Sequence, residues 1–149
     1  MIRLTPISFV YSVLLVGGLI QASYWIAPVR NLSDGGCQID YVYDGDTVAL
    51  DCGQDVETAR LVGFDTAEVR DAGCPAESAH GNAAKERLRA LVSQGTVTMS
   101  GDAHDKYGRL LVSLYVVDVD VGDTLIAEGL AVSYRGGQRI NWCARLGAA

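Results

Sequence analysis

CQIDYVYDGDTVALDC, Cys37 to Cys52, consists of two alternating apolar runs joined through Asp-Gly. That dipeptide between such runs is the strongest short-range signal for a β-hairpin. With Asp44 and Gly45 as the two turn residues, Tyr43 faces Asp46 and counting outward sets Cys37 opposite Cys52. Directly opposed residues lie within disulfide reach, although a bulge would shift the register. Only two other cysteines exist, so by elimination Cys74 pairs with Cys143 and ties down the C-terminal tail. There is no CxxC, and His80 and His104 are the only histidines, so no cluster is tight enough for zinc.

Beyond the hairpin, VETARLVGF (residues 56–64) reads as a third strand. AGCPAESAHGNAAKERLRALVSQG reads as a helix. Pro75 suits its first turn and Glu77 its positive N-terminal end. Ala84, Leu88, Leu91 and Val92 form its apolar stripe, and Gly95 stops it. TVTMS and RLLVSLYVV are two further strands, VDVDVG turns the chain, and DTLIAEGL is a short helix starting at Asp/Thr. The expected class is α+β. Five short strands in the order βββ–α–ββ–α form a small, partly open barrel with two to three short helices against it.

The N-terminus stands apart. Leu4 to Val29 carries no charge, which is about the length of a membrane-spanning helix, with Tyr24 and Trp25 suited to an interface. A cleaved signal peptide is the rival reading, with Ile7 to Ile20 as its apolar run and cleavage after Ala22. The expected division is residues 1–30 as anchor or signal, 31–36 as linker and 37–149 as the folded domain. Either N-terminal reading exports that domain, to the periplasm or outside the cell, with a single membrane helix if uncleaved. Four cysteines agree with an oxidising compartment.

The chain has 149 residues and a formal net charge of −6, and all 18 acidic residues lie beyond residue 30. That argues against a basic nucleic-acid coat protein; any polyanion must be held by a local cationic site. Three polar clusters interrupt the apolar pattern: Asp44-Gly45-Asp46-Thr47, Arg60 with Asp65, Thr66 and Glu68, and Asp105-Lys106-Tyr107-Gly108-Arg109. Taken singly they are a turn, a surface ion pair and a polar loop.

Taken together, YDGDTVAL, ARLVGFDTAE, DKYGRLLVSLYV and LIAEGLAV resemble the staphylococcal-nuclease-like (thermonuclease) family from about Cys37 to Tyr134. The resemblance implies an OB-type barrel and calcium-dependent hydrolysis of phosphodiesters in DNA or RNA. It implies Asp46, Asp65 and the Thr66 carbonyl as calcium ligands, with Asp44 supporting them. Glu68 would position or deprotonate the attacking water. Arg60 and Arg109 would clamp the scissile phosphate, with Lys106 and Tyr107 reaching a neighbouring one. Two carboxylates and a carbonyl suit a hard cation, and planar guanidinium forks suit developing phosphate charge. No histidine is required.

Three departures from the family pattern stand out. Ala67 replaces the usual proline between Thr66 and Glu68, which loosens the loop carrying Glu68. Tyr134 matches the substrate-stacking tyrosines only approximately. A long C-terminal helix is missing, and Arg135, Arg139 and Arg145 are either cationic contacts or solvated surface. DVDVGD fails EF-hand spacing and reads as a turn. The competing function is a non-catalytic OB-type module that binds oligonucleotide or protein at the cell envelope. Retention of Arg60, Glu68 and Arg109 together favours the nuclease, and no obligate protein partner is implied.

Overall fold

The computed structural model describes residues 36–148. The expected N-terminal helix or signal, nearly all of the linker, and Ala149 lie outside the described residues. The elements are β1 (Gln38–Val42), β2 (Thr47–Asp51), β3 (Val56–Leu61), β4 (Gly63–Thr66), α1 (Pro75–Val92), β5 (Val97–His104), β6 (Leu110–Val116), β7 (Val119–Asp120), α2 (Val121–Ala127), β8 (Ala131–Tyr134) and α3 (Trp142–Arg145). The main sheet runs β1-β2-β3-β6-β5, with β7 on β6, and β4 pairs separately with β8. The β3–β6 pair is parallel and the others are antiparallel. The result is a mixed sheet that curls round a core yet stays open between β1 and β5, so the barrel is not closed.

Both cysteine pairs are bonded, Cys37 to Cys52 and Cys74 to Cys143. The first is reached by a different register from the two-residue turn. Val42 pairs with Val48, and the Tyr43 N–H donates to the Thr47 carbonyl, so Asp46 sits inside a wider turn and does not face Tyr43. A bulge between Ile39 and Tyr41 absorbs the extra residue. Beyond it Gln38 pairs with Asp51, which returns the cysteines to opposition.

The single third strand expected over residues 56–64 is broken. Gly63 adopts φ 94°, a left-handed conformation that glycine takes without a Cβ penalty. The chain turns there from β3 into β4. The short helix α2 begins two residues earlier than expected, because the Asp120 carboxylate accepts from the Asp123 N–H and caps it. The DVDVGD segment is thus a hairpin turn followed by a helix cap. The strands β4, β7 and β8 and the four-residue α3 are not foreseen by the sequence reading; two to four residues leave too little periodicity to read.

The core follows side-chain alternation. β6 buries Leu110, Val112, Leu114 and Val116 and half-buries the residues between them. Val48, Leu50, Leu61, Leu88 and Leu125 meet it from the other elements. Helix α1 turns Ala84, Leu88 and Leu91 inward as its stripe predicts, with Val92 packed at the margin.

The same helix holds the loop after β4. The Ser78 hydroxyl donates to the Val69 carbonyl at 3.1 Å, and the Glu77 carboxylate accepts from the Gly73 N–H at 2.8 Å. Gly81 faces the loop backbone so closely that a Cβ there would lie 2.6 Å from the Ala67 oxygen and 2.7 Å from the Glu68 oxygen. Gly81→Ala therefore reverses the usual sign of a helical glycine replacement. Helix propensity favours alanine by about 1 kcal/mol, but overpacking costs about 1–3 kcal/mol, and backbone atoms cannot rotate away. The variant should lose up to about 2 kcal/mol, read from urea unfolding; a more stable variant would contradict this packing.

Candidate active site

Site geometry begins with β3. Ala59 and Leu61 point into the core, so Arg60 points to the other face, opposite Thr47 of β2. The Leu61 N–H donates to the Asp46 carbonyl at 2.8 Å, bringing the DGDT turn against the end of β3. Within that turn, the Asp44 carboxylate accepts from the Asp46 N–H at 3.0 Å. Gly45 has to be glycine for space: a Cβ would lie 2.7 Å from Ala84 Cβ and 2.8 Å from Thr66 Cγ2.

Two carboxylates are buried there. Asp46 is 3% exposed, and it accepts from the Thr66 N–H at 2.9 Å and the Thr47 hydroxyl at 3.2 Å, and it pairs with Arg60. Asp65 is fully buried. Its Oδ1 faces Arg60 at 3.2 Å and Arg139 Nε at 2.6 Å, and its Oδ2 accepts from the Trp142 indole at 3.1 Å. Glu68, at the cavity's edge, pairs with Arg139, which also donates to the Thr66 carbonyl at 2.9 Å.

Burial and pairing shift three groups of the site. Burial pushes the Asp44 carboxyl above the ordinary range, against the pull of hydrogen bonds from Thr47 and the charge of Arg60. Burial also pulls Arg60 below its usual value, opposed by Asp65. For Arg139, desolvation is outweighed by the bond to Glu68 and the charge of Asp65, and its pKa rises.

The third cluster is organised by Asp105. One carboxylate oxygen accepts from the Tyr107 N–H at 2.8 Å and the Arg109 N–H at 3.0 Å. The other accepts Arg109 Nε at 2.8 Å and lies 2.7 Å from Nη2, a two-pronged pair that fixes the fork. Desolvation works against the Asp105 charge, but the bonds from Arg109 and Tyr107 hold its carboxyl below the ordinary range. Tyr107 is 73% exposed, with Lys106 Nζ 4.9 Å and the Arg109 guanidinium 5.6 Å from its ring centre.

One cavity of about 730 Å³ is bordered by Asp44, Asp46, Arg60, Glu68, Lys106, Tyr107, Arg109 and Tyr134, together with Arg139. Asp65 and Thr66 are buried beneath it. Four stretches far apart in sequence thus meet at one opening. An adjoining slot of about 420 Å³ shares Arg60, Arg109 and Tyr134 and adds Leu61, Val62, Phe64 and Leu111. Arg135 borders the slot, and Arg145 lies over the Trp142 ring at 5.8 Å. Two buried carboxylates and a carbonyl, all oxygen donors, fit a hard divalent cation. The clustered cysteines and Glu77 offer no such site, because both sulfurs are in a disulfide.

Reading by motif overlooked three contributors. Asp105 was seen as part of a loop and not as the partner that orients Arg109. From the sequence Arg139 reads as either a cationic contact or solvated surface, and no local pattern singles out Trp142. The last two act on Asp65 from more than 70 positions away, and no local pattern encodes that. Glu77, expected only to complement the helix end, also fastens the loop.

The chain matches the family described as Staphylococcal nuclease homologue over residues 58–142. The DGDT turn precedes that range, so Asp44 and Asp46 rest on the geometry. The chain is 36% identical over 96 residues to the SPbeta prophage-derived endonuclease YokF of Bacillus subtilis (strain 168), covering 62% of this chain and 32% of that protein. It is 35% identical over 96 residues to Endonuclease YncB of the same organism, covering 62% and 45%. It is 34% identical over 92 residues to Thermonuclease of Staphylococcus intermedius, covering 60% and 54%. The chain thus spans about a third to a half of these relatives' own length.

The raised pKa of Asp44 has a stability consequence. A carboxyl whose folded pKa lies above its unfolded value contributes fully below the unfolded value, and the contribution is lost as pH rises through the folded value. Asp44→Asn keeps an acceptor for the Asp46 N–H without the charge. It should melt higher than the parent at neutral pH, and the gap should close below about pH 3, where the aspartate is protonated. Melting curves across that range check this; a gap that widens in acid would contradict it.

Proposed function

Since the chain belongs to the staphylococcal nuclease homologue family, we propose that it is a nuclease hydrolysing phosphodiester bonds of DNA or RNA with calcium. The observation that carries the reading is the convergence of Arg60, Glu68, Arg109, Lys106 and Tyr107 on one cavity above two buried carboxylates. The endonuclease and thermonuclease names of its relatives support it. So does the clustering of cations at the opening of an otherwise acidic protein, because a polyanion can be captured there.

Asp46, Asp65 and the Thr66 carbonyl would hold the ion. Calcium bound there would lend positive charge to the phosphate and acidify the attacking water. Glu68 would take a proton from the attacking water, whose oxygen forms a bond to phosphorus as the ester P–O bond breaks and the departing alkoxide takes up a proton from solvent. Arg60 and Arg109 carry planar donors toward the equatorial oxygens, where negative charge grows. Their own anchors, Asp65 and Asp105, keep those forks from reorganising during the step. Tyr107 and Tyr134 border the opening, and the apolar slot offers a surface for a base. Export is part of the proposal: two disulfides suit an oxidising compartment. A binding-only module would use Glu68 only as the partner of Arg139.

Two outcomes are expected in steady-state hydrolysis of a fluorescent oligonucleotide by the full chain. Calcium should support turnover, magnesium poorly, and chelator should abolish it, because flexible oxygen coordination suits the larger ion. Undiminished hydrolysis in chelator would refute the metal assignment.

Arg109→Lys should lose about 10²–10³ in kcat. Lysine keeps the charge but not the two-pronged donor that strengthens in the transition state. Calcium affinity and melting temperature should barely change. A folded lysine variant with near-parental turnover would remove Arg109 from the mechanism and favour the binding module.

A further inference from the structure

Three oxygens that the calcium reading gives to metal and water are held by one side chain. Arg139 sets Nε 2.6 Å from Asp65 Oδ1, donates from Nη2 to the Thr66 carbonyl at 2.9 Å, and pairs through Nη1 with Glu68. Each nitrogen of the planar guanidinium goes to a different acceptor. Two of those acceptors belong to the assigned metal ligands, and the third is the assigned water-activating carboxylate.

The segment carrying Arg139 is fastened on both sides. Before it, Gly136 and Gly137 turn the chain at φ 93° and 94°, and the Tyr134 hydroxyl donates to the Gly137 carbonyl at 2.7 Å. After it, buried Trp142 donates to Asp65 and Cys143 is bonded to Cys74. Between these anchors Arg139 is still 40% exposed along its side chain and borders the open cavity. The backbone is tethered, and the guanidinium has room to leave.

A further cation cannot join these oxygens freely. Asp65 Oδ1 already faces Arg60 and Arg139, and a divalent ion on the same atoms would meet like charge beside a carboxylate that is itself buried. Without any cation beyond Arg60, the carboxylates of Asp46, Asp65 and Glu68 would be undercompensated. We infer that Arg139 is a built-in competitor for the divalent ion: its guanidinium neutralises the oxygens of Asp65, Thr66 and Glu68 until metal displaces it into the cavity. The inference rests on the calcium reading of the site. It makes apparent metal affinity weaker than the donor set alone would give, by the fraction of sites that Arg139 leaves free.

The test is calorimetric titration of calcium into the full chain, comparing the parent with Arg139→Met and Arg139→Lys. Methionine should tighten calcium binding by about tenfold or more. Lysine, with charge but no fork, should fall between. Equal or weaker binding by the methionine variant would overturn the inference, because Arg139 would then be a neutral tie or an aid to the ligands. Since that variant is left with undercompensated acids, the parent protein is read in parallel by the Arg139 Nε–H resonance. This should be protected from solvent exchange in chelator and exposed at saturating calcium; protection that persists with calcium bound would also overturn it. Measurable, equal binding in all three proteins defeats this inference alone. No binding in any of them defeats the calcium reading and the inference with it.

Discussion

The structure depends on one buried charge. Asp65 has no exposed surface, and an isolated carboxylate in such a place would neutralise or unfold its surroundings. It is held instead by two guanidinium groups and an indole N–H. Supplying those donors requires a sharp turn from β3 to β4, an outward-facing Arg60, and a C-terminal segment that returns across the molecule. Replacing Asp65 alone would strand the guanidinium of Arg60 and the Trp142 indole, whereas exchanging the whole ion-paired group for apolar side chains would cost little, since buried ion pairs seldom gain over apolar packing. The carboxylate is therefore best understood through the chemistry of the cavity above it.

Around that charge the fold arranges a division of labour. Asp46 and Asp65 lie deep, Lys106, Arg109 and Arg139 share the rim with Glu68 and Asp71, and Arg60 belongs to both layers. The rim cations are themselves oriented by anions, Arg109 by Asp105 and Arg139 by Glu68. A protein of net charge −6 thereby presents positive groups at one opening, and the rest of its surface repels other polyanions.

How much of this could be read from the sequence follows from where each partner lies. The DGDT turn, the α1 stripe and the β6 alternation are local patterns with periods of two or 3.6, and they were legible. The cysteine pair of the hairpin was legible too, though by a route that missed both the wider turn and the bulge. These offset one another, leaving the far end where a two-residue turn would put it. The break at Gly63 was missed because RLVGF continues the apolar run of a strand, and a single glycine signals a bend only once its φ is known. Motif resemblance gathered the residues that border the cavity. It could not reach Arg139 or Trp142, whose partners lie in a segment that no local rule connects to the tail.

The distance between Asp65 and its last donor also bears on how the domain folds. Trp142 lies 77 positions beyond Asp65, so making that contact closes a long loop of chain and carries its entropic cost. The parallel pairing of β3 with β6 demands another long crossover before Arg60 and Arg109 can approach. A nascent chain that ends short of Trp142 carries a carboxylate that it can neither bury at low cost nor fully satisfy. Intermediates lacking the tail are penalised at the same atom that the finished protein depends on. The contacts that complete the site and those that fasten the C-terminal tail to the domain thus meet at one side chain.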